Sequence, residues 1–323
     1  MNRLNTTQWT NYWHEDANIN SFGLDNYDND VALFWQQQLQ AEKYTSILDL
    51  ACGNGAISWL ANDILNKQQN TTAITGIDFS DIRPFERLNR NPDDYPMLSF
   101  MGNTKLESLP FADNSHDAAI SQYGIEYSNL TDSIAELSRV LKPVSKIHFI
   151  VHSQDSEIVQ QSLHSLKQYE IILKEVQLHL ELLTMDKIIG AETDTAKLRT
   201  NPAFIAQSEV IQKKMFLIDH VIRNGKSVQA LLNYKLRLME CVSEQAITRG
   251  PEGRAAAIDR ARKSLGDYIN RIKDLTKIAL SEARISELSS LLESHHFKIK
   301  RLEIFKHDDL NNAGRIIIAE RAQ

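Results

Sequence analysis

The run Ile47-Leu48-Asp49-Leu50-Ala51-Cys52-Gly53-Asn54-Gly55-Ala56-Ile57-Ser58 constrains this chain more than any other stretch. Ile47, Leu48 and Leu50 make a short apolar segment, which reads as a buried strand. Gly53 and Gly55 follow at once. Lacking a Cβ, they permit a tight turn and a close approach of the backbone to a ligand. Ile57, Trp59 and Leu60 then open a helical apolar face. A strand that turns through glycines into a helix is the unit of an open α/β sheet. Such sheets bind nucleotide-like ligands in the crevice beyond the carboxyl ends of their strands.

The loop does not fit a dinucleotide well. A dinucleotide fingerprint has a third small residue that lets pyrophosphate reach the helix N-terminus, and Ala56, Ile57 and Ser58 match it only loosely. Asp49 also precedes the glycines. A carboxylate there repels pyrophosphate but attracts an ammonium group, so the residues favour S-adenosylmethionine over a dinucleotide. The second strand, Thr72 to Ser80, delivers Asp78 to its carboxyl end, where a carboxylate can accept hydrogen bonds from both ribose hydroxyls. Ser80 with Asp81 is expected to cap the next helix.

The third segment is Phe100-Met101-Gly102-Asn103-Thr104, followed by Leu109-Pro110-Phe111-Ala112-Asp113-Asn114-Ser115-His116-Asp117 and a fourth strand ending near Gln122. With the first two segments, it resembles class I S-adenosylmethionine-dependent methyltransferases of the small-molecule type. The resemblance covers roughly residues 45–152 and 281–321. It implies an α/β fold: a Rossmann-like seven-stranded mixed sheet with, here, a large α-helical insertion after the fifth strand. It also implies S-adenosylmethionine as cofactor. Asp49 would lie near the methionine amine, Asp78 would bind ribose, and Asn103 would contact the adenine amino group. The full expected cofactor set is Asp49, Ala51, Gly53, Gly55, Asp78, Phe79, Asn103, Thr104 and Gln122. Four positions depart from the family pattern. Ala51 replaces a glycine and is tolerable if its φ stays negative. Asn103 replaces an aspartate, His116 a phenylalanine, and Val144-Ser145 a Gly-Gly turn.

Hydrophobic residues make 42% and charged residues 24% of the 323, which places the chain among ordinary globular proteins. A net charge of -6 argues against general nucleic-acid binding, which needs a basic face. Cys52 and Cys241 are far apart, one in a turn and one in a helix, so no disulfide framework is expected and a reducing cytoplasm is the simplest location. Polar residues interrupt the N-terminal stretch, so it lacks a signal peptide's apolar core, and no apolar run is long enough to span a bilayer.

Four parts are expected. Residues 1–44 form an N-terminal cap in which Trp9, Tyr12 and Trp13 share a helical face, and an aromatic wall there would suit a sulfonium. A polar loop at Asp25, Asn26, Asp28 and Asn29 separates them from a second helix. Residues 45–154 form the cofactor-binding core. Residues 155–280 form an insertion of about four helices, either a lid or a dimer interface. Residues 281–323 close the sheet with a helix and two strands, Phe297 to Phe305 and Ala313 to Ala319.

Methyl transfer asks a protein mainly for orientation and exclusion of water. Some acceptors also need a proton removed. The candidates for that are His152, Glu126 and Tyr123, with His14 and Glu15 behind them. No metal site is expected, since His295-His296, His148 and His152 lack partners at metal-ligand spacing. The expected acceptor is a small molecule. One alternative is RNA or protein docking on the basic residues Lys213, Lys214, Arg223, Lys226, Lys235 and Arg237. Another is a cofactor-binding subunit without turnover.

Overall fold

The computed structural model describes residues 6–15, 19–20, 26–66, 71–225 and 228–321. Asp25, Lys226 and the side chain of Glu15, named above, lie outside the described residues. Seven strands form one sheet: β1 (Ser46–Leu50), β2 (Ala73–Ile77), β3 (Leu98–Met101), β4 (His116–Gln122), β5 (Leu141–Val151), β6 (Phe297–His307) and β7 (Leu310–Arg321). Their order is β3-β2-β1-β4-β5-β7-β6. The first five run parallel, with Ile47 opposite Ile74 on one side and Ala118 on the other. β7 enters antiparallel between β5 and β6. This is the strand order of a Rossmann-like methyltransferase fold. The chain leaves β1 in one direction and returns at β4 in the other, so the loops after β1 and β4 part and leave a crevice between them.

Helices α1 (Thr6–Glu15), α2 (Asp30–Gln40), α3 (Ala56–Asn66) and the short α4 (Pro84–Arg87) precede the crossover helix α5 (Leu130–Val140). One face of the sheet is covered by Val31, Trp35 and Leu39 of α2 with Ile57, Trp59 and Leu65 of α3. The other is covered by Ile134 and Leu137 of α5. The late helix α13 (Glu282–Ser294) adds Ile285, Leu288 and Leu292 to that second face. A parallel sheet buried on both sides needs continuous apolar strands, and Ile47, Leu48 and Leu50 supply them.

After β5 comes an all-helical stretch: α6 (Glu157–Ile171), a π-helical turn at Ile172–Val176, α7 (Leu178–Ile189), α8 (Thr195–Thr200), α9 (Pro202–Asn224), α10 (Gln229–Cys241), α11 (Glu244–Thr248) and α12 (Arg254–Ile278). There are more helices than expected, because Gly190, Asn201-Pro202, Gly225 and Ser243 each end or cap one. The chain divides into two compact units: residues 1–160 with 275–323, and residues 161–274. The second has its own core, with Tyr169, Leu182, Leu231, Leu238, Ile258 and Leu265 at its centre. Arg254 is buried there, and its Nε donates to Asp186 Oδ1 at 2.6 Å.

Local expectations are corrected in three places. β6 and β7 are longer than the sequence suggested and meet at a turn of Asp308 and Asp309, with Asp308 at φ 49, a left-handed conformation that aspartate tolerates. Val144-Ser145 is not a turn. β5 starts at Leu141 and runs through it, with Ser145 opposite Arg321. Ser80 and Asp81 do not cap α4, because the helix begins only at Pro84, which puts Arg83 at the N-cap position with no side-chain cap. His116 fills the family's phenylalanine position as a buried ring set edge-on to Phe111 at 4.8 Å.

Candidate cofactor cleft

The glycine loop is shaped by left-handed residues. Ala51 has φ 52, Gly53 φ 55 and Gly55 φ 83. The expectation that Ala51 keeps a negative φ is therefore wrong. Its methyl group is accommodated because position 124 is glycine: a Cβ there would lie 2.7 Å from that of Ala51. A non-glycine residue in this region costs on the order of 1–2 kcal/mol, and such strain concentrates at functional sites.

Two carboxylates lie at the foot of the loop. Asp78 is 7% exposed and accepts from the Gly53 N–H at 2.9 Å and the Ser80 N–H at 2.8 Å. Asp49 is 2% exposed, and the Ser58 hydroxyl donates to it at 2.6 Å. Burial pushes the Asp49 carboxyl up to about 7, with the Asp78 charge adding to the effect. Burial also raises Asp78 despite its two backbone donors. Neither carboxylate has a cationic side chain beside it among the described residues. A buried pair of this kind is the counterpart of a cationic, hydroxyl-bearing ligand.

Beyond β2 and β3 the edge is open and apolar. Phe79 is 41% exposed and Met101 37%, with Lys105 5.7 Å above the Phe79 ring. Asn103 is also exposed, at φ 54, its N–H bonded to the Ser80 carbonyl. Thr104 spends its hydroxyl on the Gly102 carbonyl, and its N–H bonds the Asp78 carbonyl. Gln122 accepts from the Trp35 indole N–H at 2.6 Å. Thr104 and Gln122 thus brace the cleft from within the protein.

The candidate catalytic residues come together at the ends of β4 and β5. Tyr123, at φ 56, stacks on His152 with ring centroids 4.1 Å apart and 13° between planes, and its hydroxyl donates to the Ala313 carbonyl. Glu126 accepts the His152 backbone N–H on Oε1 at 2.7 Å. Its buried Oε2, like His152 Nδ1, has no hydrogen-bond partner among the described residues. Burial pushes Glu126 up to about 7 and His152 down to about 3, so His152 is neutral.

One contact went unforeseen. The Trp13 indole of α1 lies against Gly53, where a Cβ would sit 2.6 Å from Trp13 Cη2. Asn54 Nδ2 donates to the Trp13 carbonyl, and Thr10 Oγ1 accepts the Asp81 N–H at 3.2 Å. His14 Nε2 is 3.6 Å from Asp81 Oδ2. The aromatic spacing within α1 marked its buried face, but nothing local in sequence marked the loop as its partner.

Among the described residues, Asp30, His307 and Asp308 bring ligand-type atoms within 4.8 Å of one another. Their mutual contacts, His307 Nδ1 to Asp30 Oδ1 at 2.8 Å and His307 Nε2 to Asp308 Oδ2 at 3.3 Å, clasp α2 to the β6–β7 turn.

Residues 47–144 match a family model described as a methyltransferase domain. The match lies inside the first unit and stops before the helical one. No curated protein matches the chain in sequence. Among solved structures, a SAM-dependent methyltransferase from Aquifex aeolicus aligns over 99% of this chain and 100% of its own, at 9% identity and TM-score 0.48. The 1,6-didemethyltoxoflavin-N1-methyltransferase of Burkholderia thailandensis aligns over 92% of this chain and 80% of its own, at 9% identity and TM-score 0.43. A geranyl diphosphate C-methyltransferase from Streptomyces coelicolor A3(2) aligns over 38% of this chain and 44% of its own, at 17% identity and TM-score 0.32. The strand order, rather than these alignments, carries the fold assignment.

Proposed function

We propose that this chain is an S-adenosylmethionine-dependent methyltransferase acting on a small-molecule acceptor. The observation that carries the reading is the pair of buried carboxylates, Asp49 and Asp78, flanking a glycine loop at the crevice of this sheet. The match of residues 47–144 to a methyltransferase domain supports it. The cofactor is S-adenosylmethionine, and the residues fit it. Asp49 balances the ammonium group, Asp78 takes the ribose hydroxyls, and exposed Phe79 and Met101 offer an apolar shelf for the adenine, with Asn103 at its edge. When bound, the cofactor supplies a methyl group made electrophilic by its sulfonium.

The chain's own residues then orient the acceptor and manage its proton. Glu126 is the best base. Its carboxyl titrates near neutrality and one oxygen has no hydrogen-bond partner among the described residues. Its Oε1 is fixed by the His152 N–H. Tyr123 holds the imidazole face of neutral His152, whose Nδ1 has no hydrogen-bond partner among the described residues. Two of the basic residues that an RNA partner would use are drawn into ion pairs, Lys214 with Glu181 and Lys235 with Asp219. This supports a small-molecule acceptor over a nucleic acid. Among the described residues, no helix is long and apolar enough to cross a membrane.

The test is calorimetric binding of S-adenosylmethionine and S-adenosylhomocysteine to wild type and to Asp78→Ala. Micromolar binding that is lost in the variant sustains the reading. Absence of binding by the wild type overturns it.

A further inference from the structure

We propose that the outer face of α9 is a dimer interface, on which a second copy of this chain docks its own α9 antiparallel. The inference is independent of the methyltransferase reading and concerns the helical unit alone.

Helix α9 has 23 residues, about 35 Å of helix, and one side of it is fully engaged. Ile211 and Ile218 are buried in the core of the helical unit, and Phe204, Met215, Val221 and Ile222 pack against that core. Gln207 and Lys214, at the margin of the same side, both bond Glu181 of α7. The opposite side faces solvent along the whole helix, and residues there should be polar. Instead Ile205 is 45% exposed, Val210 38%, Phe216 63% and Leu217 51%. Single exposed apolar residues are ordinary, but four along one helix face mark a surface that another surface covers.

The charges on this face select what covers it. Glu209 and Lys213 stand one turn apart between the apolar residues. Neither has an ion partner among the described residues, and they are not paired with each other. Consider two α9 helices running antiparallel about a two-fold axis at the level of Ile211. Residues equally far from Ile211 on its two sides then come level, so Glu209 meets the partner's Lys213 and Lys213 meets the partner's Glu209. The same axis brings Ile205 to the partner's Phe216 and Ala206 to the partner's Leu217, each contact made twice. A parallel pair fails, because it sets Glu209 on Glu209 and Lys213 on Lys213. The face is thus complementary to itself in one direction, in charge and in apolar contact together. That self-complementarity is what commits it to a second copy. A single helix pair is small for a stable interface, so the dimer should form at micromolar concentrations.

The experiment is sedimentation velocity of the full-length protein from nanomolar to high micromolar concentration. The proteins are wild type, Glu209→Lys, Lys213→Glu, the double exchange of both, and Phe216→Ser. All three positions are exposed, so each variant should keep the wild-type circular dichroism spectrum. Wild type is expected to dimerise. Either single reversal sets like charges against each other at two symmetric places and should weaken the dimer about tenfold or more. The double exchange restores opposite charges in the same register and should return the affinity to within about threefold of wild type. Phe216→Ser removes an apolar contact twice and should weaken the dimer about a hundredfold. Recovery in the double exchange is the decisive result, since general damage to α9 would not reverse. A monomeric wild type overturns the proposal and leaves the face to a partner of another kind. A dimer that the single reversals do not weaken, or that the double exchange does not restore, overturns the antiparallel pairing.

Discussion

Among the described residues, the two units of this chain differ in the carboxylates they bury. The first buries Asp49, Asp78, Glu126 and His152 with no ion partner, and their protonation is displaced by burial. The second buries no carboxylate among the described residues and pairs several that it half-buries: Asp186 with Arg254, Glu181 with Lys214, Asp219 with Lys235, and Glu170 with Lys273. Burying an unpaired ionisable group works against folding, and such groups gather where a ligand or reaction uses them. Paired charges around an apolar core are what a scaffold needs. The residues of the proposed chemistry all belong to the sheet unit.

The contrast breaks most easily at Arg254. Replacing it by alanine strands Asp186 and should cost the helical unit about 3–5 kcal/mol, seen as an early transition in denaturant unfolding. Cofactor affinity should stay within about twofold. A parallel loss of affinity would mean that the two units do not divide stability from binding. Next in size is Asp78→Ala. The proposed ribose contact loses two charge-assisted hydrogen bonds, each worth about 1.5–3 kcal/mol, so affinity should fall roughly 100-fold or more by calorimetry.

A pH series is gentler. Asp49 titrates at about 7 in the free protein, and a cationic ligand favours its ionised form. Affinity should therefore rise about tenfold per pH unit up to about 7 and then level off, as expected for one released proton. Asp49→Asn should flatten that slope, and an unchanged slope would remove Asp49 from the ammonium site. Stability of the free protein follows the opposite sign for this group. Its folded pKa lies above the unfolded value, so its contribution is largest below about pH 4 and is lost as pH rises towards 7. His152 behaves in reverse. It is neutral when folded, and its contribution is present above about 6.5 and lost as pH falls towards 3.

The sheet was legible in sequence because its signals are local. Ile47 to Leu50 announce a buried strand, two glycines announce the turn, and Asp78 sits where a strand must end. The return of strand-like segments near the C-terminus placed β6 and β7. What stayed hidden depends on partners distant in sequence. Ala51 tolerates φ 52 because Gly124 leaves room beside it. Ser80 forgoes capping because α4 begins only at Pro84, four residues on. Gln122, read as a ligand contact, is held by Trp35. Gly53 looked like a place for a ligand, and the residue that fills it here is Trp13, forty positions upstream and on another helix.

The smallest expected effect is the most direct test of the division. Ser153 bridges to Leu280, and the Gln154 N–H bonds the Leu280 carbonyl, so the chain leaves and rejoins the first unit at adjacent points. Residues 156–279 can therefore be replaced by a short glycine–serine linker without pulling β5 from β7. The remaining unit keeps both faces of its sheet covered, by α2 and α3 on one side and α5 and α13 on the other. Asp49, Asp78 and the glycine loop are untouched. S-adenosylhomocysteine affinity of the excised protein should match that of the full chain within about threefold, measured by calorimetry alongside circular dichroism to confirm the fold. A folded product that no longer binds would show that the carboxylate site depends on the helices, and the contrast between a chemical unit and a scaffolding unit would fall.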